Sequence, residues 1–151
     1  MAEEAGERLD RELNELLQEL RVALPGVQVL FAFLLTIPFA QRFTTISGAQ
    51  KTAYFIAFLS TGAATALLIA PSAFHRIEWR QRDKEQILRT STGFMLLGLA
   101  FLTAAMTATI FVVTDVLYDT AWAVVTAVVA AVVIATFWFA WPTTRRLKHR
   151  S

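Results

Sequence analysis

The polar and apolar positions of this chain sort into long blocks. Residues 22–41, 52–74, 90–114 and 120–144 carry no charged side chain, and the charges gather between them. A run of about 20 apolar residues, helical at about 1.5 Å per residue, is what a hydrocarbon core about 30 Å thick requires. In hydrocarbon each backbone N–H and C=O must find its partner within the segment, and a helix provides that. The pattern therefore predicts an all-α, polytopic membrane protein with four transmembrane helices, at approximately residues 27–41, 52–74, 91–114 and 120–141.

Ahead of the first block, Leu9, Leu13, Leu16, Leu17, Leu20 and Leu24 recur at helical spacing, while Glu12, Glu15 and Glu19 share a different face. This predicts an N-terminal amphipathic cytoplasmic helix over residues 8–24, lying along the interface or docked on its own bundle, with a partner-binding or gating arm as the alternative. Pro25 and Gly26 predict a break or kink before the first span. The acidic face is repelled by anionic lipid and complements the basic segment at residues 75–89, HRIEWRQRDKEQILR, so the two are expected to lie close together. That segment is expected to prolong the second span as helix, with Glu78 and Arg82 one turn apart.

Charge then orients the bundle. Of the 14 Lys and Arg residues, only Arg42 and Lys51 fall on the side that holds the first and third connections. Short basic loops stay in the cytoplasm, which predicts an inner-membrane protein with both termini, the central loop and the basic tail at 142–151 inside. Aromatic belts are expected at the two interfaces: Tyr54, Tyr118 and Trp122 outside, Trp79, Trp138 and Trp141 inside. The first 19 residues hold seven acidic side chains, unlike the basic start of a secretory signal, so the N-terminus is expected to be retained.

Composition narrows the chemistry. With 56% hydrophobic and 17% charged residues in 151, the chain is expected to be one membrane domain with no room for a second. Absence of cysteine excludes disulfides, thiolate catalysis and Cys-ligated metals. A pI near 9.4 accompanies a net charge of only +2, and topology accounts for the basic residues, so nucleic acid is not expected as a partner. No ionisable residue lies at a span centre, whereas proton and ion relays place them there. The polar residues inside the blocks are Gln28, Ser60 and a set of threonines, expected to bond to backbone or across helices.

Several positions are candidates for a special role. Pro38 removes a backbone hydrogen bond and frees the carbonyl of Leu34, which predicts a kink, or alternatively a carbonyl open to an ion. Ala123, Ala127, Ala131 and Ala135 form one narrow stripe for close helix approach, and Ser60/Ala64 with Gly62/Ala66/Ala70 offer the same on the second span, making spans two and four expected neighbours, either within one chain or between chains. Asp115 and Asp119 read as a solvated turn, with cation attraction as the alternative. His75 titrates near neutral pH when unperturbed. No catalytic set, phosphate loop or metal-ligand spacing is present, so no enzyme, cofactor or metal site is expected.

The stretch RLDRELNELLQELRVALPGVQVLFAFLLTIPFAQRF at residues 8–43, followed by ALLIAPSAFHR at 66–76, resembles a bacterial family of small integral membrane proteins known as a domain of unknown function, number 6328. The likeness is most specific in ELLQELRV, in FAFLLT-PF--RF, and around Pro71, His75 and Arg76. The resemblance implies a four-span architecture without an assigned activity, and it marks Gln28, Pro38, Arg42, Pro71, His75 and Arg76 as positions to test. The expectation is a non-enzymatic structural or interaction protein, a homo-oligomer in the lipid bilayer. The alternatives are a small oligomeric ion channel or cation/proton transporter, and a regulator that binds anionic lipid through Arg80 and Arg82.

Overall fold

A computed structural model of the chain describes residues 2–78 and 84–140, and its regular structure there is all helical. Helix α1 spans Ala2–Thr36, α2 Gly48–Glu78, α3 Lys84–Leu117 and α4 Thr120–Ala135, the last prolonged by a π-helical turn at Thr136–Ala140. Two 3-10 turns, Ile37–Phe39 and Gln41–Thr45, join α1 to α2. All four helices contain a segment long and apolar enough to cross a membrane. Consecutive helices reverse direction, so the α1–α2 and α3–α4 connections share a "turn end", and the start of α1, the end of α2, the start of α3 and the turn after α4 lie at the opposite "terminal end". Helices α2 and α3 form the central pair, α1 packs against both, and α4 packs on α3.

Helix lengths are unequal in a way the charge-free blocks did not convey. At 35, 31 and 34 residues, α1, α2 and α3 run to roughly 45–55 Å, well beyond a hydrocarbon core of about 30 Å. The fourth membrane segment, Thr120–Phe139, has 20 residues and about matches that core.

The expected break at Pro25–Gly26 does not separate an arm from a span. Helix α1 continues through Pro25. Leu20, Val27 and Leu34, seven residues apart, are all almost fully buried, with Leu16 extending the same seam toward the N-terminus. One apolar stripe thus runs the length of α1, and ending the helix at Pro25 would strand half of it. Leu16, Leu20 and Val27 pack with Ala64, Leu68 and Leu102, beside Leu88 and Met95. The arm is docked on its own bundle. Trp138, expected in an aromatic belt, packs against this same cluster.

Within the chain, spans two and four are not the neighbours the small-residue stripes suggested. Helix α4 lies on α3, with Ala123 and Ala127 buried, Ala131 half-buried and Ala135 exposed. The close approach occurs instead between α2 and α3. A Cβ built on Gly98 would lie 2.9 Å from Cγ and Cδ2 of Leu68, which is itself fully buried. Only a residue without a Cβ leaves room for the Leu68 side chain there.

Candidate functional site

Polar chemistry with defined partners concentrates at the turn end. Ser47 and Gln50 form a reciprocal cap on α2: the Ser47 N–H donates to Gln50 Oε1 at 2.9 Å, and the Gln50 N–H donates to Ser47 Oγ at 3.2 Å. The same Gln50 side chain reaches α3, its Nε2 donating to Asp115 Oδ2 at 2.8 Å. Asp119 caps α4, its Oδ1 accepting from the Trp122 N–H at 3.0 Å. Both acidic residues of the turn are therefore engaged in helix ends and helix contacts.

Beside this network sits the loop held by Pro38. Helix α1 ends at Thr36 and the chain turns through the 3-10 segment, so the expected kink appears as a helix end. The freed Leu34 carbonyl accepts a buried hydrogen bond of 2.8 Å from Tyr54 Oη on α2. Proline has no N–H to offer that carbonyl, and the tyrosine takes its place. Tyr54, expected in an interfacial belt, is consequently buried. Its ring meets Phe43 edge-on at 5.2 Å and stacks with Phe58 at 6.3 Å, while Phe58 stacks on Phe31 at 5.3 Å. Tyr118 and Trp122 remain exposed.

The other sequence-marked residues do not assemble into one site. Gln28 is exposed on α1 and Pro71 is buried within α2, near the opposite end from Pro38. The backbone of Arg42 lies in the second 3-10 turn, and those of His75 and Arg76 lie in the last turns of α2; their side chains are outside the described residues, as are Trp79, Arg80, Arg82 and the tail from Trp141. Glu15 and Glu19 are exposed, and Glu12 pairs with Arg8 on its own helix at 3.1 Å.

Inside the spans most threonine hydroxyls turn back to their own helix. Thr61, Thr65, Thr103, Thr109 and Thr136 each donate to the carbonyl four residues earlier at 2.7–2.9 Å. Thr126 also reaches across to Thr114 Oγ1 of α3 at 3.2 Å. Thr107 differs, since its buried Oγ1 has no hydrogen-bond partner. It lines an apolar groove of about 530 Å³ between α2 and α4, floored by Ala104 and Ala108 and walled by Ala53, Ala127 and Ala131. Among the described residues no three His, Cys, Asp or Glu side chains come together as metal ligands.

A family model described as "Family of unknown function (DUF6328)" matches residues 2–142. The chain belongs to that family. No protein of curated function and no solved structure matches it. In this DUF6328 member the stretch FAFLLT-PF--RF has a structural purpose: Phe31 stacks across to α2, Pro38 frees the carbonyl that Tyr54 binds, and Phe43 covers that tyrosine. Gln50, Tyr54 and Gly98 carry the turn end and the central contact, and sequence inspection gave none of them this role. For Gln50 the signal was available, because Ser47-x-x-Gln50 directly before an apolar run is a capping-box spacing.

Proposed function

We propose that this DUF6328 protein is a non-enzymatic, oligomeric structural or interaction protein of the bacterial inner membrane, with both termini in the cytoplasm. The observation that carries the reading is how the polar groups with described partners are used. Asp115 and Asp119 hold helix ends, Tyr54 closes a broken helix ladder, and Thr61, Thr65, Thr103, Thr109 and Thr136 bond to their own helices. A transport path or reaction centre needs ionisable or ligating groups able to change partners, and these groups are committed to the scaffold. Twelve basic residues on the terminal side against Arg42 and Lys51 on the other support the orientation. The basic segment containing Arg80 and Arg82 then faces anionic headgroups.

Purified protein in liposomes under an imposed proton or potassium gradient is expected to give no flux above that of empty liposomes. Flux that His75→Ala or Arg42→Ala abolishes would replace this reading with the transporter one. Single cysteines at Ala2 and Thr44 are expected to label from the cytoplasmic and external sides respectively, and reversed labelling would invert the topology. Anionic lipid is expected to co-purify and to be lost when Arg80 and Arg82 are neutralised.

A further inference from the structure

Gln28 is a polar side chain facing the wrong solvent. It lies about 12 Å along α1 from Thr36 and about 10 Å from Arg21, hence within a hydrocarbon layer about 30 Å thick. The side chain is exposed, and it has no hydrogen-bond partner among the described residues. An amide turned toward acyl chains leaves both its donors and its acceptor unsatisfied, which is unfavourable by several kcal/mol in a medium without hydrogen bonds.

The residues around it form a second seam on the same helix. Pro25, Gln28, Ala32 and Leu35 alternate at three- and four-residue spacing, and all are exposed. Gln28 lies about 100° around the helix from Val27 of the buried seam. Toward the N-terminus the stripe continues through Arg21 and Gln18, both exposed, so its apolar part is confined to membrane depth.

We propose that this stripe is the contact between two copies of the chain, with two α1 helices crossing at Gln28 and Ala32 about a two-fold axis along the membrane normal. The inference rests on the oligomeric reading above and names its interface. A primary amide is its own complement, with N–H groups that donate and a carbonyl that accepts. A two-fold axis that sets Gln28 opposite Gln28 therefore satisfies both. An acyl chain offers neither group. Ala32, one turn away, lets the backbones approach closely enough for the amides to meet. The two copies insert with the same topology, so the helices meet parallel, as such an axis requires.

The chain contains no cysteine, which makes single-cysteine crosslinking clean. In liposomes at high lipid-to-protein ratio, Gln28→Cys and Ala32→Cys are expected to form disulfide dimers at least ten-fold faster than Val29→Cys, which is 56% exposed on another face of α1. In a fluorescence energy-transfer titration between labelled copies, Gln28→Leu is expected to raise the dimer dissociation constant about three- to thirty-fold, the range for interhelical hydrogen bonds in membranes. Equal crosslinking at positions 28, 29 and 32, with a dimer that Gln28→Leu leaves unchanged, overturns this interface while the oligomeric reading stands. A monomer at every dilution overturns both. Crosslinks from position 28 to a different protein alone would give the seam to another partner and overturn the proposal.

Discussion

Tyr54→Phe isolates one hydrogen bond with little change to packing. The phenylalanine ring keeps the contacts at 5.2 Å to Phe43 and 6.3 Å to Phe58, and the only atom lost is the hydroxyl that donates to the Leu34 carbonyl over 2.8 Å. A buried hydrogen bond contributes about 0.5–1.5 kcal/mol net, and a buried carbonyl left unpaired costs about 1–3 kcal/mol. Interhelical bonds measured in membranes fall near the lower of these, about 0.6–1.7 kcal/mol. A loss of about 1–2 kcal/mol is therefore expected, readable as a shift in the midpoint of denaturant-driven unfolding in mixed micelles. The decisive comparison uses Pro38. Replacing it with alanine restores a backbone N–H four residues after Leu34, a second donor for the same carbonyl. In the Pro38→Ala background, Tyr54→Phe should cost less than about 0.5 kcal/mol, giving a coupling of about 1 kcal/mol across the cycle. Equal costs in both backgrounds would refute the idea that the tyrosine substitutes for the missing proline N–H.

Four further outcomes follow from individual contacts. Gly98→Ala places a Cβ 2.9 Å from Leu68 and should destabilise by about 1–3 kcal/mol in the same unfolding assay; adding Leu68→Ala should recover part of that loss. Asp119→Ala removes the cap of α4 and should cost about 0.5–2 kcal/mol, with hydrogen exchange rising at Trp122 and Ala123 before other parts of the helix. Gln50→Ala removes its side chain's half of the reciprocal cap and the bond to Asp115, so it should cost more than Ser47→Ala, which removes only the Oγ half of the cap; equal midpoints would show that the Asp115 bond contributes nothing. Thr107→Val replaces an unpartnered buried hydroxyl with a methyl of similar shape and should be neutral or stabilising by up to about 1 kcal/mol, unlike Thr61→Val, which discards a made bond.

The membrane-spanning architecture was readable from the charge-free blocks because lipid imposes a length and a polarity that no local context overrides. The freed carbonyl of Leu34 was also readable, since proline lacks its N–H whatever surrounds it. The identity of its partner was not. Tyr54 and Leu34 are 20 residues apart, and the hydropathy of Tyr54 fitted an interfacial belt equally well. The same division appears at Pro25. Local propensity argued for a break, yet the seam Leu20–Val27–Leu34 buries one face continuously and holds the helix together through the proline.

The sequence by itself determined that four helices are long and apolar enough to cross a membrane and that charge is absent from four blocks of the chain. These properties follow from single residues and their spacing against a solvent of known thickness. Which helices touch was decided only in three dimensions. Stripes of small residues occur on both α2 and α4, and spacing cannot say which pair of surfaces meets; the tight contact arises at Gly98, one of two glycines on α3, against a leucine of α2. The Gln50–Asp115 bond joins residues 65 apart in the chain, and only the antiparallel packing of α2 and α3 brings them together. Packing is a property of pairs of surfaces, and the pairing exists only once the fold has been made.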